Sequence, residues 1–399
     1  MGFQTLDDLT VASRAVGVRV DINSPLGADA DLADDARLRA HVDTLSELLD
    51  RDGRIAILAH QGRPGGDEFE GLAAHATRLD ELLDYPVHFT DATFSAAARG
   101  AVDDLDDGEA ILLENTRFYS EEYMEFEPER AARTHLVSRL SPHLDAFVND
   151  AFAAAHRSQP SMVGFAYALP SYAGRVMERE VKLLGNVEDL PSPRAYVVGG
   201  AKIPDSLTVI RHSLSKGLAD EVLLTGLVAN VFMLAAGHDL GDGSADVIYE
   251  RGHWEEIDRA SELLQGYPER IHLPEDVAIE RDGQRVEIDV ADLPPEHDEP
   301  IMDIGSETID VYREILASME TSILNGPAGV FEESAFQTGT RDLFQVVADA
   351  GFSILGGGDT AAAVRRFDIE GFDHISTGGG AALRLLTGES LPAIEALEG

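Results

Sequence analysis

Short apolar runs recur along this chain, and each stops at a glycine or a polar side chain. In the first half these runs are Val18-Arg-Val-Asp-Ile22, Arg54-Ile-Ala-Ile-Leu-Ala-His60, Ala110-Ile-Leu-Leu-Glu114 and Ala146-Phe-Val-Asn149. In the second half they fall at 195–198, 221–224, 321–324, 352–355 and 374–376. The stretches between them carry helical spacing. Over 37–50, for example, Leu38, Val42, Leu45, Leu48 and Leu49 share one stripe. Further helices are expected around 72–83 and 129–140, and the acidic runs 29–35 and 103–109 read as solvated loops and faces. Strands that alternate with helices build parallel sheets with helices on both faces. At 399 residues the chain is too long for one ordinary core. The pattern also restarts after Pro191-Ser-Pro193, behind a helix expected over 174–190. The expected fold is α/β: two doubly wound parallel-sheet domains joined by an interdomain helix and hinge. Their spans are 1–172, a connector at 173–191, 192–387, and a tail at 388–399. One segment differs, because Asp282-Gly283 between two alternating runs predicts a hairpin over 277–290.

Open parallel sheets bind ligands beyond the carboxyl ends of their strands. The polar residues of the first half fall where that rule needs them. Asp21 and Asn23 close the first run, His60-Gln-Gly-Arg63 the second, Glu114-Asn-Thr-Arg117 the third and Asn149-Asp150 the fourth, with His156-Arg157 just beyond. Singly, each has an ordinary explanation as a turn residue, a core histidine or a surface ion pair. Taken together they are harder to explain that way. Arg37, Arg63, Arg117 and Arg157 gather with two histidines in a chain of 73 acidic and 31 basic residues, net −42. That concentration of guanidinium implies a pocket for a small, multiply anionic ligand.

The second half offers backbone instead of side chains. Gly199-Gly-Ala-Lys202, Asn325-Gly-Pro327 followed by Gly329-Val-Phe-Glu332, and Thr377-Gly-Gly-Gly380 all follow apolar runs. The clearest case is Phe352-Ser-Ile-Leu-Gly-Gly-Gly-Asp-Thr360, which leads into the helix formers Ala361-Ala-Ala-Val. Glycines there let the chain approach a ligand closely, and the amides of the helix start suit phosphate. Asp359 adds the hard oxygen that a phosphate-bound Mg²⁺ takes. Alone, this stretch is equally an ordinary loop capped by aspartate. With Gly199, Gly200, Lys202, Asn325, Gly357, Gly358 and Thr360 it describes a nucleotide-triphosphate site. No Gly-Lys dipeptide exists, so a Walker A loop is excluded, and no G-x-G-x-x-G follows the first strand.

Composition narrows the setting. The absence of cysteine excludes disulfides, thiolate catalysis and zinc held on sulfur. No apolar run is long enough to span a bilayer, and Met1-Gly-Phe-Gln-Thr-Leu lacks the features of a signal peptide, so a cytoplasmic location is expected. Lysine occurs only at 182, 202 and 216. So acidic a chain repels nucleic acid and anionic membranes, and it repels itself unless salt screens it. This fits a salt-filled cytoplasm, the alternative being an acidic protein of an ordinary cell.

Eight of these motifs, in order along nearly the whole chain, resemble those of the phosphoglycerate kinase family. In the first half they are Val18-Arg-Val-Asp-Ile-Asn-Ser-Pro25, His60-Gln-Gly-Arg-Pro64, Leu113-Glu-Asn-Thr-Arg-Phe118, and Val148-Asn-Asp-Ala-Phe152 with His156-Arg157. In the second half they are Gly199-Gly-Ala-Lys202, Asn325-Gly-Pro-Ala-Gly-Val-Phe-Glu332, Gly356-Gly-Gly-Asp-Thr360 and Ser376-Thr-Gly-Gly-Gly380. The resemblance implies phosphoryl transfer between 1,3-bisphosphoglycerate and ADP with Mg²⁺, and a tail that returns to the first domain. It implies that Asp21, Asn23, Arg37, His60, Arg63, Arg117 and Arg157 hold 3-phosphoglycerate. Glu332 would then bind the ribose, Asp359 would sit by the metal, and Gly357, Gly358 and Thr360 would contact phosphates. Both acceptor groups of such a reaction are already deprotonated, so positive charge and alignment matter more than a general base. Arg37, Lys202, the metal and glycine amides would supply that charge, the domains would close to bring the ligands together, and a monomer is expected. Without the resemblance, residue chemistry reaches phosphoryl transfer and leaves open a phosphate-binding module or a nucleotide-dependent ligase. One departure stands out: many members carry a second lysine four residues after the first, where this chain has Ser206.

Overall fold

The computed structural model describes residues 2–27, 31–376 and 378–399. Asp29 of the first acidic run and Thr377 of the last glycine-rich motif lie outside them. The chain forms two compact units, one of Met1–Gly185 with Glu389–Gly399, the other of Asn186–Gly388.

The first unit is built on six strands: β1 (Ala15–Arg19), β2 (Arg54–Leu58), β3 (Val87–Thr90), β4 (Ala110–Leu113), β5 (Ala146–Asn149) and β6 (Ser171–Ala173). They lie in the order β3-β4-β2-β1-β5-β6, and every pairing is parallel. Successive residues of the central strands serve opposite cores. Val16, Ile55, Ile57 and Leu112 enter one cluster, while Ala15, Ala56, Leu58, Ile111 and Leu113 enter the other. A strand covered on both faces must be apolar at every position, which is why these segments read as continuous runs and not as alternating ones. The stretch read as one helix over 37–50 is two, Ala36–Ala40 and Val42–Asp50, broken at His41. The strand expected to reach Ile22 ends at Arg19. From Asp21 onward the backbone bonds to side chains, with the Asp21 N–H donating to His41 Nε2 (3.1 Å).

The second unit repeats the plan. Its sheet contains β7 (Arg194–Val198), β8 (Glu221–Leu224), β9 (Ile271–His272), β13 (Thr321–Asn325), β14 (Phe352–Gly356) and β15 (His374–Ile375), in the order β15-β14-β13-β7-β8-β9. All of these pairings are parallel as well. Beside it, β10 (Asp276–Arg281), β11 (Gln284–Asp289) and β12 (Ile301–Ile304) form a small antiparallel sheet. The expected hairpin is β10-β11, turned at Asp282 and Gly283 with φ of 51° and 74°. The helix expected over 174–190 is shorter: it is Arg175–Leu184, Gly185 follows it, and a separate 3₁₀ turn covers Val187–Asp189.

Candidate active site

In the first unit the ends of β1, β2, β4 and β5 bring together the cations named from the sequence. Asp21 is buried and its carboxylate accepts from Arg37 Nη1 at 2.8 Å, while about a third of the Arg37 side chain stays open to solvent. Burial alone would raise the Asp21 pKa. The guanidiniums of Arg37 and Arg19 outweigh it and hold the carboxyl well below its usual range. An aspartate kept ionised in this way accepts hydrogen bonds and donates none.

His60 is buried, and desolvation together with the neighbouring Arg19 cation depresses its pKa well below the ordinary 6.5. Arg117 is buried too: it donates to the Gly62 carbonyl at 2.5 Å and lies 5.8 Å from the Tyr123 ring. Burial, then the like charges of Arg157 and Arg19, press its pKa to about 10, so it remains a cation. Arg157 is half-buried with Nη1 3.5 Å from His60 Nε2, and Arg63 is exposed. Asn23 and Asn115 shape the loop between these groups. Asn23 Oδ1 accepts from the Gly62 N–H (2.8 Å), and Asn115 Nδ2 donates to the Gln61 carbonyl (2.8 Å).

Four contributors are not evident in the sequence motifs. Arg19 is fully buried, a guanidinium inside the apolar run 18–22. Glu122 and Ser161, buried beside it, form a bridge described below. His41, at the break between two helices, donates from Nδ1 to Asp150 Oδ2 (2.6 Å). Asp150 Oδ1 in turn accepts from the Val176 N–H (2.8 Å) in the first turn of the helix Arg175–Leu184. The signal for Arg19 was present in the sequence. A charge at the end of a central strand has no solvent face to occupy, so it must serve buried partners.

In the second unit the strand ends meet through backbone. Gly199 N–H donates to the Asn325 carbonyl (2.8 Å), Gly200 N–H to Pro327 (2.8 Å) and Gly226 N–H to Ala328 (2.9 Å). Gly326 takes φ +94°, and a Cβ there would lie 2.3 Å from the Gly199 carbonyl oxygen. No side chain fits that contact. β14 runs through Gly357 (φ +102°) into the helix Gly358–Phe367, whose first turn carries Asp359. Thr360 is buried, and its hydroxyl accepts from the Gly326 N–H (3.0 Å), tying this helix to the neighbouring strand end.

These segments surround a cavity of about 470 Å³. Lys202, Asn325, Glu332 and Asp359 supply polar groups, while Met233, Val277 and Phe331 contribute to an apolar wall. Arg251, also unforeseen, reaches the same cavity. Lys202 Nζ lies 3.6 Å from Asp359 Oδ2, both side chains being mostly exposed. An exposed pair like this is worth about 0–1 kcal/mol, so a phosphate can take the lysine, and its cation the carboxylate, with little opposition. Ser206 is 1% exposed, so it lies in the cavity wall and not at a partly open position. Among the described residues no group of three or more His, Asp or Glu side chains could hold a metal. Asp359 is the carboxylate beside Lys202 in this cavity, a hard oxygen that would fit a Mg²⁺ otherwise held by phosphate oxygens and water.

Comparison with known proteins agrees on family and fold. A sequence model of the family described as phosphoglycerate kinase matches residues 6–389. A phosphoglycerate kinase of Halobacterium salinarum is 64% identical over 397 residues, covering 100% of both chains. One of Natronomonas pharaonis is 61% identical over 396 residues and 99% of both. The crystal structure of phosphoglycerate kinase from Pyrococcus horikoshii superposes with a TM-score of 0.92 at 41% identity, covering 99% of this chain and 98% of that one.

Proposed function

The chain belongs to the phosphoglycerate kinase family and catalyses reversible phosphoryl transfer between 1,3-bisphosphoglycerate and ADP, giving 3-phosphoglycerate and ATP; from that premise we propose how its residues divide the work. Asp21, Asn23, Arg37, His60, Arg63, Arg117 and Arg157 of the first unit hold the phosphoglycerate. Its phosphate and carboxylate take the guanidiniums, and its hydroxyl donates to the ionised Asp21. In the second unit the amides at Gly357 and Gly358, with Lys202, Asn325, Thr360 and the Glu332 carboxylate, hold the nucleotide, and Gly199 and Gly200, whose own amides bond to the neighbouring strand end, let the backbone come close to it.

No proton has to move for the transfer, because donor and acceptor oxygens are anionic in both directions. The barrier is one of alignment and charge on the migrating group. Arg37 and Lys202 are the mobile, partly exposed cations that meet this charge, and the amides of Gly357 and Gly358 add fixed dipoles. Asp359 would hold a phosphate-bound Mg²⁺, which would supply further charge neutralisation. Transfer follows only when ligands bound on the two units are brought together. The enzyme works as a monomer in the cytoplasm, and its adaptation to salt is in line with its halophilic archaeal relatives. Among the described residues no helix is long and apolar enough to cross a membrane.

One contrast carries this reading: buried guanidiniums collect at the strand ends of one unit, and glycine amides around a cavity in the other. Calorimetry with Arg117→Lys tests it. Losing the forked donor should weaken 3-phosphoglycerate binding about 10–100-fold and leave ATP binding unchanged. Unaltered 3-phosphoglycerate affinity would remove Arg117 from the site.

A further inference from the structure

Arg19 performs a task that none of the roles above includes. It is 0% exposed, so it cannot touch a ligand, yet a buried guanidinium is stable only when every donor is used. Its Nε donates to Ser161 Oγ (3.0 Å), and Ser161 Oγ donates onward to Glu122 Oε2 (2.6 Å). The Ser161 N–H also donates to Glu122 Oε1 (2.7 Å), so the buried counter-charge reaches Arg19 through a hydroxyl. Arg19 Nη1 donates to the Val20 carbonyl. Nη2 remains, and it points at His60 Nδ1, 2.8 Å away.

A guanidinium can only donate, so Nδ1 must be the bare, accepting nitrogen of the ring. The ring proton is then on Nε2. Arg157 Nη1 also faces Nε2, at 3.5 Å. A neutral ring cannot accept at both nitrogens, and the 2.8 Å contact decides which one accepts. Nε2–H and the Arg157 N–H are left facing a common space, where one anionic oxygen could accept from both. We propose that Arg19 is a positioning residue: by occupying His60 Nδ1 it fixes the ring as the neutral Nε2–H tautomer, so that His60 offers the substrate a proton and not a charge. The placement of His60 against 3-phosphoglycerate rests on the reading above; the hold of Arg19 on the ring does not.

The surroundings favour the same state. Burial disfavours imidazolium most, and the charged groups facing the ring, Arg19, Asp21, Arg117 and Arg157, add three cations against one anion. Protonating the ring would also break the Arg19 contact, since Nδ1–H would oppose Nη2–H. Affinity through His60 is therefore independent of pH across the range in which a free histidine titrates.

The test uses the full-length protein, labelled with ¹⁵N at histidine, in molar KCl. Long-range ¹H–¹⁵N spectra from pH 8.5 to 5.5, assigned with His60→Gln, should show His60 protonated at Nε2, bare at Nδ1 and not titrating. A proton on Nδ1, or titration near pH 6.5, overturns the proposal whether or not substrate binds. The double variant Arg19→Gln/Glu122→Gln removes the hold and keeps the buried charge balanced. Its His60 should titrate within that range, and imidazolium should then strengthen anion binding as pH falls. Its KM for 3-phosphoglycerate, divided by that of the unsubstituted enzyme at each pH, should fall about threefold from pH 8 to 5.5, with the kcat ratio flat. Arg19→Lys, which keeps a donor at Nδ1, should return a flat KM ratio. A folded double variant with a non-titrating His60 overturns the proposal, because a purely structural Arg19 would change KM alike at every pH. If the double variant does not fold, the wild-type spectrum decides alone. A His60 signal unmoved by 3-phosphoglycerate would defeat the substrate placement, and the tautomer would still judge Arg19.

Discussion

The two units share a parallel six-stranded plan, and their strand ends solve opposite problems. The first unit presents charge: Arg117 is buried and Arg157 half-buried beside His60, and Asp21 is held ionised by Arg37 and Arg19. The second presents backbone: Gly199, Gly226 and Gly326 pack so tightly that neighbouring strand ends bond directly to one another. A small ligand with two fixed anionic ends rewards stiff, forked cations. A triphosphate with many oxygens and a mobile cation rewards a dense array of amides. What the difference teaches is where each unit is fragile: the first to loss of a charge, the second to gain of a methyl.

Arg37→Ala should give the largest effect. If Arg37 meets the migrating phosphoryl group, kcat falls about 10²–10⁴-fold with a smaller change in KM. Steady-state kinetics showing KM raised and kcat intact would make it a binding residue only, and the first unit's site would be entirely static.

Gly326→Ala tests the other side. Its Cβ would meet backbone at 2.3 Å in a positive-φ conformation, for about 2–4 kcal/mol of lost stability and weaker ATP binding. Gly65→Ala is the matched control, with φ +80° and nothing within 4 Å of the added carbon. It should cost about 1 kcal/mol. Equal melting temperatures for the two variants would mean that the strand ends relax freely and that the contrast between the units is overdrawn.

Salt acts on something both units share, the net charge of −42. Screening relieves self-repulsion, so the melting temperature should rise about 4–8 °C from 50 mM to 2 M KCl, equivalent to about 2 kcal/mol, and kcat/KM should rise with it. Identical stability and activity at both salt concentrations would refute adaptation to salt and leave the kinase chemistry untouched.

The smallest effect is expected from Ser206→Lys, which puts a charge into the amide-built site. Extending from the cavity wall toward the phosphates, the lysine should tighten ATP binding by about 1 kcal/mol in dilute buffer, and by little in molar salt. No change in calorimetry at either salt concentration would show that the side chain cannot reach them.

How much of this was legible depended on how local the cause was. Phe352–Thr360 spelled out its own strand, turn and helix start, because glycine spacing is decided within a few residues, although the helix is capped by Gly357 without a side-chain bond and not by Asp359 or Thr360. β3 was not foreseen. It is a four-residue edge strand with His88 exposed, and its pairing with β4 supplies the order that its own pattern lacks. His41 was read as part of a continuous helix because nothing nearby announces Asp150, 109 residues away, as its partner. The motif residues of the site could be named from their position after apolar runs. What could not be read was how they are wired: Arg19 to His60, Glu122 to Arg19 through Ser161, Thr360 to Gly326. Those contacts join segments that only the folded sheet brings together.

Residues 389–399 belong to the first unit, with Leu391, Ala393, Ile394 and Leu397 buried and the Ala393 N–H donating to the Ala155 carbonyl (3.1 Å). The second unit is thus an uninterrupted segment, Asn186–Gly388, inserted within the first. On the ribosome this reverses the usual order of completion. The unit whose synthesis begins first is finished last, and until its closing helix Pro392–Glu398 emerges, the apolar surface around Ala155 has no cover. Nascent chains arrested after Gly388 and clear of the exit tunnel should therefore resist protease across 186–388 while the earlier residues are still cut. Protection of both units at that length would show that the first one closes without its final strap.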